Sequence, residues 1–422
     1  MKIALITNDF LPMMGGITNV MINVSNNLTK FGETVYLLNK TYEDNKKLYF
    51  KVLSDEISVK GALVHNFTFI YFSIYLFFKI IFSFKGLIFK EKLKLAFFYS
   101  FYPKFIVRRI ISIKNLVSFF RKFNCDIILS GTSGIPLLYS YILSKWFNVP
   151  MVAIAHGDDY LTRYPFKIKT HIFQEIQGII VTNKIMKNLF LKIFSVNPNK
   201  IKIIHLGVDI KNSEVKESVS FLREQFGYNQ RDFILLTVSR FYPRKGFETV
   251  LKALHLILKE NKDILIKYLI IGEGEDKKRI KLLIKQLNLE ENVILLGAVD
   301  DNLKNQYYKL SDLFVLVPEI KEDSIEGFGI VYIEANYFKL PVIGSYSGGI
   351  KMAIIDNKTG YLIKPKDELE LKDKIMLLFN NKELCRDLGE YGHKRVLKLF
   401  DWEKNALVYQ QVLNEAIKEY YL

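Results

Sequence analysis

The stretch SIEGFGIVYIEANYFKLPVIGSYSGG, residues 324–349, decides the fold of this chain. Upstream of it, DLFVLVPE is a short run of apolar, β-favouring residues that ends at Pro318-Glu319, and a polar loop, IKEDSIEGFG, follows. The spacing predicts a helix that starts near Gly329 and carries Glu334 in its second turn, with a further strand at PVIGSYS. Strand, loop, helix and strand make a βαβ unit, from which parallel sheets are built. Gly327 and Gly329 let the backbone approach a ligand closely. The N–H groups and positive dipole end of the helix start favour a phosphate there. Glu326 lies before the helix and Glu334 inside it, so the two reach opposite ends of one elongated polar ligand. Both oxygens of a carboxylate accept hydrogen bonds, which suits vicinal hydroxyls. A phosphate flanked by two hydroxyl-rich groups describes a nucleotide sugar, its diphosphate at the helix start and its sugar and ribose at the two glutamates.

Outward from this unit, the same rhythm runs almost from end to end. KIALITN, ETVYLLN, CDIILSG, PMVAIAH, GIIVTN and KIIHLG read as strands in the first half, and FILLTVSR, IKYLIIGEG, NVILLG, DLFVLVPE and PVIGSYS in the second. Several are continuously apolar, as buried parallel strands are, and helical patterns separate most of them. The expected class is α/β, with two Rossmann-like, doubly wound domains facing a central cleft at the carboxyl ends of both sheets. The domains are expected at 1–208 and 209–400, the boundary falling in the polar stretch DIKNSEVKES, with a C-terminal helix over 401–422 packing back on the first domain.

A second segment, LLTVSRFYPRKGFETVLKAL, places Arg240 at a strand end and Lys245-Gly246 just before a helix. Arginine makes paired hydrogen bonds to phosphate oxygens, and lysine supplies a mobile point charge. Two cations at a strand–helix junction suit a departing diphosphate without a metal. A third segment, LPMMGGITNVMINVSNNL, sets Gly15-Gly16 between the first strand and an amphipathic helix; ordinary turns look the same, and the alternative is a glycine pair that admits an acceptor or phosphate. His156 ends the strand PMVAIA before Gly157-Asp158-Asp159, where a strand-end site competes with a buried, satisfied histidine. His205 reads as packing at the hinge. Asp158-Asp159 and Asp300-Asp301 are discounted as metal ligands, because neighbouring residues on a strand point apart.

Composition bounds the partners. The 422 residues are half hydrophobic, enough for two full α/β cores, and the only cysteines, Cys125 and Cys385, lie far apart without a partner motif. That suits a reducing compartment, and the N-terminus MKIALITNDF reads as a first strand rather than a signal peptide. The formal charge of +16 gives a weak preference for anionic partners, within a chain rich in Lys, Ile, Asn, Phe and Tyr throughout. Residues 61–124 break the rhythm: the apolar run Phe67–Phe78 is too short to span a bilayer, and Lys79 and Lys85 interrupt its continuation. Aromatics and cations over 67–98 fit contact with an anionic membrane surface. Ile106, Ile110, Ile113, Val117 and Phe120 form a helical stripe that reads as packing on the first sheet, since CDIILSG follows it. The expected location is cytoplasmic, peripheral on the inner face of the cell membrane. No nucleic-acid partner is expected, because the basic residues follow no RNA or DNA motif and the aromatics lie in apolar runs.

Taken together, PMMGG (12–16), HGDD (156–159), LGVD (206–209), SRFYPRKG (239–246), IGEG (271–274), EGFGIVYIE (326–334) and SGG (347–349) resemble the retaining glycosyltransferases of family 4, with the GT-B fold, over nearly the whole chain. The resemblance implies that Glu334 binds ribose hydroxyls and that Glu326 holds the donor sugar near its reacting carbon. It implies that Arg240 and Lys245 bind the diphosphate, with backbone N–H groups near Phe328, Gly329 and Ile330. His156 would contact the donor sugar, and Gly297-Ala298-Val299 would line the base pocket. Lys351 and Met352 depart from the family, which often has Pro and then an acid there. The implied reaction moves a sugar from a nucleotide diphosphate to a hydroxyl of a saccharide or lipid-linked acceptor, with retention and no cofactor. A nucleotide-sugar 2-epimerase or phosphorylase on a related fold is the alternative.

Overall fold

The structure is a computed structural model that describes residues 1–7, 16–43, 47–51, 58–59, 116–132, 134–157, 166–319 and 326–422. Contacts divide it into two compact units, Met1–Ile204 with Ala406–Leu422, and His205–Asn405. Residues 12–15, the aromatic segment 67–98, Ile106, Ile110, Ile113 and Asp158-Asp159 lie outside the described residues.

The first unit is built on an eight-stranded sheet. Its strands are β1 (Lys2–Thr7), β2 (Thr34–Glu43), β3 (Lys47–Lys51), β4 (Ser58–Val59), β5 (Ile127–Ser130), β6 (Met151–Ala155), β7 (Gly178–Val181) and β8 (Ile201–Ile203). The order is β4-β3-β2-β1-β5-β6-β7-β8, parallel from β2 to β8, with β3 and β4 added antiparallel at one edge. In β5, β6 and β7 every residue is buried, which a strand covered by helices on both faces requires. The chain passes from β1 to β2 on one side and later returns to β5 on the other, so the order switches between β1 and β5. Val117 and Phe120 of the helical stripe are 5% and 2% exposed and belong to this core, with Phe119 edge-on to Tyr36. The helix Trp402–Tyr421 ends the chain; from Ala406 on it counts with this unit, burying Tyr409, Leu413 and Ala416, while Lys202 pairs with Glu415 at 3.1 Å. Among the described residues no helix is long and apolar enough to cross a membrane.

The second unit holds six parallel strands: β9 (Phe233–Val238), β10 (Ile266–Ile271), β11 (Val293–Gly297), β12 (Leu313–Val315), β13 (Val342–Ser345) and β14 (Gly360–Ile363). Their order is β11-β10-β9-β12-β13-β14. The switch therefore falls between β9 and β12, and the segments that follow those two strands flank the crevice where ligands of such sheets bind. At the opposite, amino edge Arg223 is buried, donating to the carbonyls of Leu310 and Asp232 and to the Asp312 carboxylate, which also accepts from the Ile234 N–H. That clamp ties the starts of β9 and β12 together, and the Thr237 hydroxyl donates to the Val315 carbonyl further along. The two strands that frame the crevice are thus fixed in register before either reaches it.

Candidate active site at the switch of the second sheet

After β9 the chain runs through Ser239 and Arg240 to a single 3-10 turn, Pro243–Lys245, and then to Gly246, which opens the helix Phe247–Glu260. Gly246 has φ +75°, and a side chain there would collide with the Val317 carbonyl after β12. Only glycine combines that left-handed backbone with so close an approach. The Glu319 N–H donates to the Arg244 carbonyl at 2.7 Å, and the Ser345 hydroxyl donates to the Pro318 carbonyl at 2.5 Å. Three neighbouring strand ends, those of β9, β12 and β13, are in this way stitched together at the switch.

Glu326 sits in that crevice. Its Oε2 accepts from Lys245 Nζ at 2.7 Å and from Arg244 Nη1 at 3.1 Å. The three side chains are 16%, 13% and 17% exposed, so the pairing is shielded from bulk water. Burial pushes the Glu326 carboxyl up, but the charges and hydrogen bonds of Lys245 and Arg244 together outweigh it and hold the group down at about 2. Glu326 is therefore an anion throughout the neutral range: it attracts and accepts, and has no proton to give. The sequence reading singled out Lys245 and Glu326 but gave Arg244 no role. Its only signal was a second charge beside Lys245 in PRKG, a pattern that surface turns share.

The helix Ile330–Tyr337 begins as the spacing predicts. Gly329 is its N-cap, at φ +81°, and a side chain there would strike the Tyr332 ring. Gly329 has no side chain with which to cap this end, and the Tyr332 N–H turns back to the Gly329 carbonyl at 3.1 Å, an arrangement that suits a ligand at the N–H groups of the helix start. Tyr332 donates to the Leu316 carbonyl at 2.6 Å and fastens the helix to the end of β12. Phe328 is 2% exposed, its ring edge-on to Phe400, so it offers a ligand only backbone. The Gly349 N–H, in the SGG turn, donates to the Glu326 carbonyl at 2.7 Å.

One turn into the helix, Glu334 does not join the Lys245 cluster. Its Oε2 accepts from the Tyr308 hydroxyl at 2.9 Å, and its Oε1 faces Lys304 Nζ at 3.5 Å. Both partners come from the helix Asp301–Leu310, which follows Gly297-Ala298-Val299 at the end of β11. Val299 is half-buried, and Asp300 accepts from the Leu303 N–H as the N-cap of that helix. Arg240 stands apart from the ion pair: it is exposed, with its guanidinium 4.8 Å over the Tyr242 ring.

Gly16 and His156 belong to the first unit. Gly16 begins the helix Gly16–Lys30, and among the described residues a side chain there would meet nothing within 4 Å. His156 follows β6, half-buried, and its Nε2 lies 2.8 Å from the Gly131 carbonyl at the end of β5. A carbonyl only accepts, so Nε2 donates in this contact. His205 opens the second unit with its ring edge-on to Phe400.

Two family models match the chain. That described as Glycosyl transferases group 1 matches residues 218–395, and that described as Glycosyltransferase Family 4 matches residues 89–212. An uncharacterized glycosyltransferase of Methanocaldococcus jannaschii is 28% identical over 301 residues, 67% of this chain and 76% of that protein. Among solved structures, the sucrose-phosphate synthase of Thermosynechococcus elongatus superposes with a TM-score of 0.75 at 21% identity, over 99% of both chains. The Anabaena protein HepE in complex with UDP-glucose superposes with a TM-score of 0.70 at 18% identity, over 98% of this chain and 99% of that one.

Proposed function

The chain is a glycosyltransferase of family 4 with the GT-B fold, and from that premise we propose that it moves a sugar, with retained anomeric configuration and without a metal ion, from a nucleotide diphosphate to a hydroxyl acceptor. The observation that carries the proposal is the contact of Lys245 and Arg244 with Glu326 beside a helix start whose N-cap is a glycine. Cations and open N–H groups are what a leaving diphosphate needs, and a carboxylate among them is what a sugar hydroxyl needs. An arriving diphosphate draws Lys245 away from Glu326 and frees that carboxylate for the donor sugar. Arg240, exposed at the same strand end, closes on the phosphates. The N–H groups at Phe328, Gly329 and Ile330 support them, Glu334 takes the ribose and Val299 lines the base pocket. Gly16 and His156 of the first unit take part in the same reaction, His156 at the sugar.

The bond between the anomeric carbon and the phosphate oxygen breaks as the acceptor oxygen bonds to that carbon on the same face. The acceptor proton passes to the leaving phosphate oxygen. Catalysis comes from stabilising that diphosphate and holding the reactants together. The UDP-glucose held by a protein of the same fold supports the donor class. The Methanocaldococcus jannaschii relative is named a glycosyltransferase, and the 2-epimerase alternative draws no support from the relatives described above.

A panel of UDP-, GDP- and ADP-sugars tests the donor. One of them is expected to raise the melting temperature by several degrees at 100 times its Kd, and NMR of the product should show the donor's anomeric configuration. Inversion, or conversion of the donor when no acceptor is present, overturns the proposal. On the acceptor side, the aromatic, cationic segment 67–98 supports a saccharide or lipid-linked acceptor at an anionic membrane surface, in envelope polysaccharide or glycolipid synthesis. The chain is then expected to float with vesicles containing anionic lipid at low salt. Absence from the lipid fraction with and without anionic lipid removes the membrane from the proposal.

A further inference from the structure

Glu334 is held more firmly than a surface-facing ribose contact requires. Tyr308 is fully buried, its ring stacked on Phe338 at 5.6 Å and 7° and tilted against Phe314 of β12 at 5.9 Å. A ring so enclosed keeps one orientation, and its hydroxyl reaches Glu334 Oε2 at 2.9 Å. Lys304 lies one turn earlier on the same helix face, 15% exposed, between Glu334 Oε1 at 3.5 Å and Asp301 at 2.7 Å. Each oxygen of Glu334 therefore has a partner from one rigid helix. A carboxylate offers roughly four lone-pair sites, so each oxygen keeps a further one. Two fixed acceptors on one carboxylate match the two hydroxyls of a vicinal diol.

We propose that Tyr308 and Lys304 are positioning residues that aim Glu334 at the 2′,3′-diol of the donor nucleotide, so that the enzyme discriminates ribonucleotide from 2′-deoxyribonucleotide donors. This rests on the assignment of Glu334 to the ribose made above. Both partners keep the protonation the role demands. Burial first, and the Glu334 charge second, keep the Tyr308 proton on its oxygen. Burial weakens the Lys304 ammonium, but Glu334 and Asp301 more than restore it.

The test uses the full chain and the pairs UDP and dUDP, GDP and dGDP, and ADP and dADP, following by titration calorimetry the pair whose ribo form binds tightest. Wild type is expected to prefer the ribo form by roughly 10²-fold, because a site built to bond a hydroxyl rejects a ligand that lacks it. Tyr308→Phe, which keeps the ring, should cut that preference by about tenfold. Lys304→Met should do the same by removing the other partner, and it carries the test if Tyr308→Phe does not fold. In turnover with the donor sugar, both should raise KM and leave kcat within about twofold. Glu334→Gln is the reference and should abolish the preference. If Glu334→Gln loses the preference while Tyr308→Phe and Lys304→Met keep the wild-type ratio, the positioning role is wrong and the ribose assignment stands. If all three keep it, the ribose assignment itself fails and takes the inference with it.

Discussion

Glu326→Gln lowers kcat by roughly 10²–10³-fold, the usual cost of losing one electrostatic contact to the reacting centre, while nucleoside diphosphate affinity stays within a few-fold. The amide keeps the shape and one acceptor oxygen but removes the charge that Lys245 and Arg244 share. Lys245 is then less tightly engaged and remains available to phosphate, which is why binding survives the change. On the proposed mechanism the carboxylate that stabilises positive charge growing at the anomeric carbon is gone, and that loss falls on the transition state alone. Steady-state kinetics beside calorimetric titration of the nucleoside diphosphate separates the two effects, and wild-type turnover in the variant would remove Glu326 from the catalytic centre. The ionisation of Glu326 also has a sign that can be checked. Its folded value, about 2, lies below the ordinary 4.5. The stability contributed by the pairing is therefore fully present above the ordinary carboxylate range and is lost as pH falls toward 2. Thermal unfolding of wild type and Glu326→Gln should converge on acidification and differ at neutral pH.

Lys245→Ala weakens both binding and turnover: about tenfold in nucleoside diphosphate affinity and roughly 10²-fold in kcat. The residue is 13% exposed, and its ammonium is the charge nearest Glu326, at 2.7 Å. On the proposed mechanism its loss removes a cation needed by the bound diphosphate and needed more by the leaving one. Arg244 remains against Glu326 at 3.1 Å, so the carboxylate is not left buried and unpaired, and the fold should tolerate the substitution. Circular dichroism unchanged from wild type would show that the loss is electrostatic. Lys245→Arg restores the charge but not the compact shape, and only partial recovery is expected. Affinity and turnover both at wild-type values in Lys245→Ala would place the diphosphate elsewhere.

The α/β class and the parallel sheets were legible in the residues, and so was the place of Lys245 and Glu326 in the segments that follow strands β9 and β12. Largely apolar runs such as ILLTV and IILS admit little but buried parallel strands, and a polar, glycine-flanked residue just after such a run lies at the carboxyl edge by chain direction alone. A helix start near Gly329 followed from the same local logic. β14, only four residues long and starting at the glycine of the polar turn NKTG, escaped notice because so short a run lacks a period, as did the edge strands β3 and β4. Which side chains meet was decided by tertiary structure. Strand order puts β12 beside β9, although β10 and β11 intervene in sequence, and this brings Arg244 to Glu326 and Gly246 against Val317. Nothing in the spacing of the helix Asp301–Leu310 said that Tyr308 and Lys304 would close on Glu334. Local pattern records how a residue lies on its own strand or helix. The partner it meets depends on how distant elements stack to bury their apolar faces, and that is a property of the whole fold.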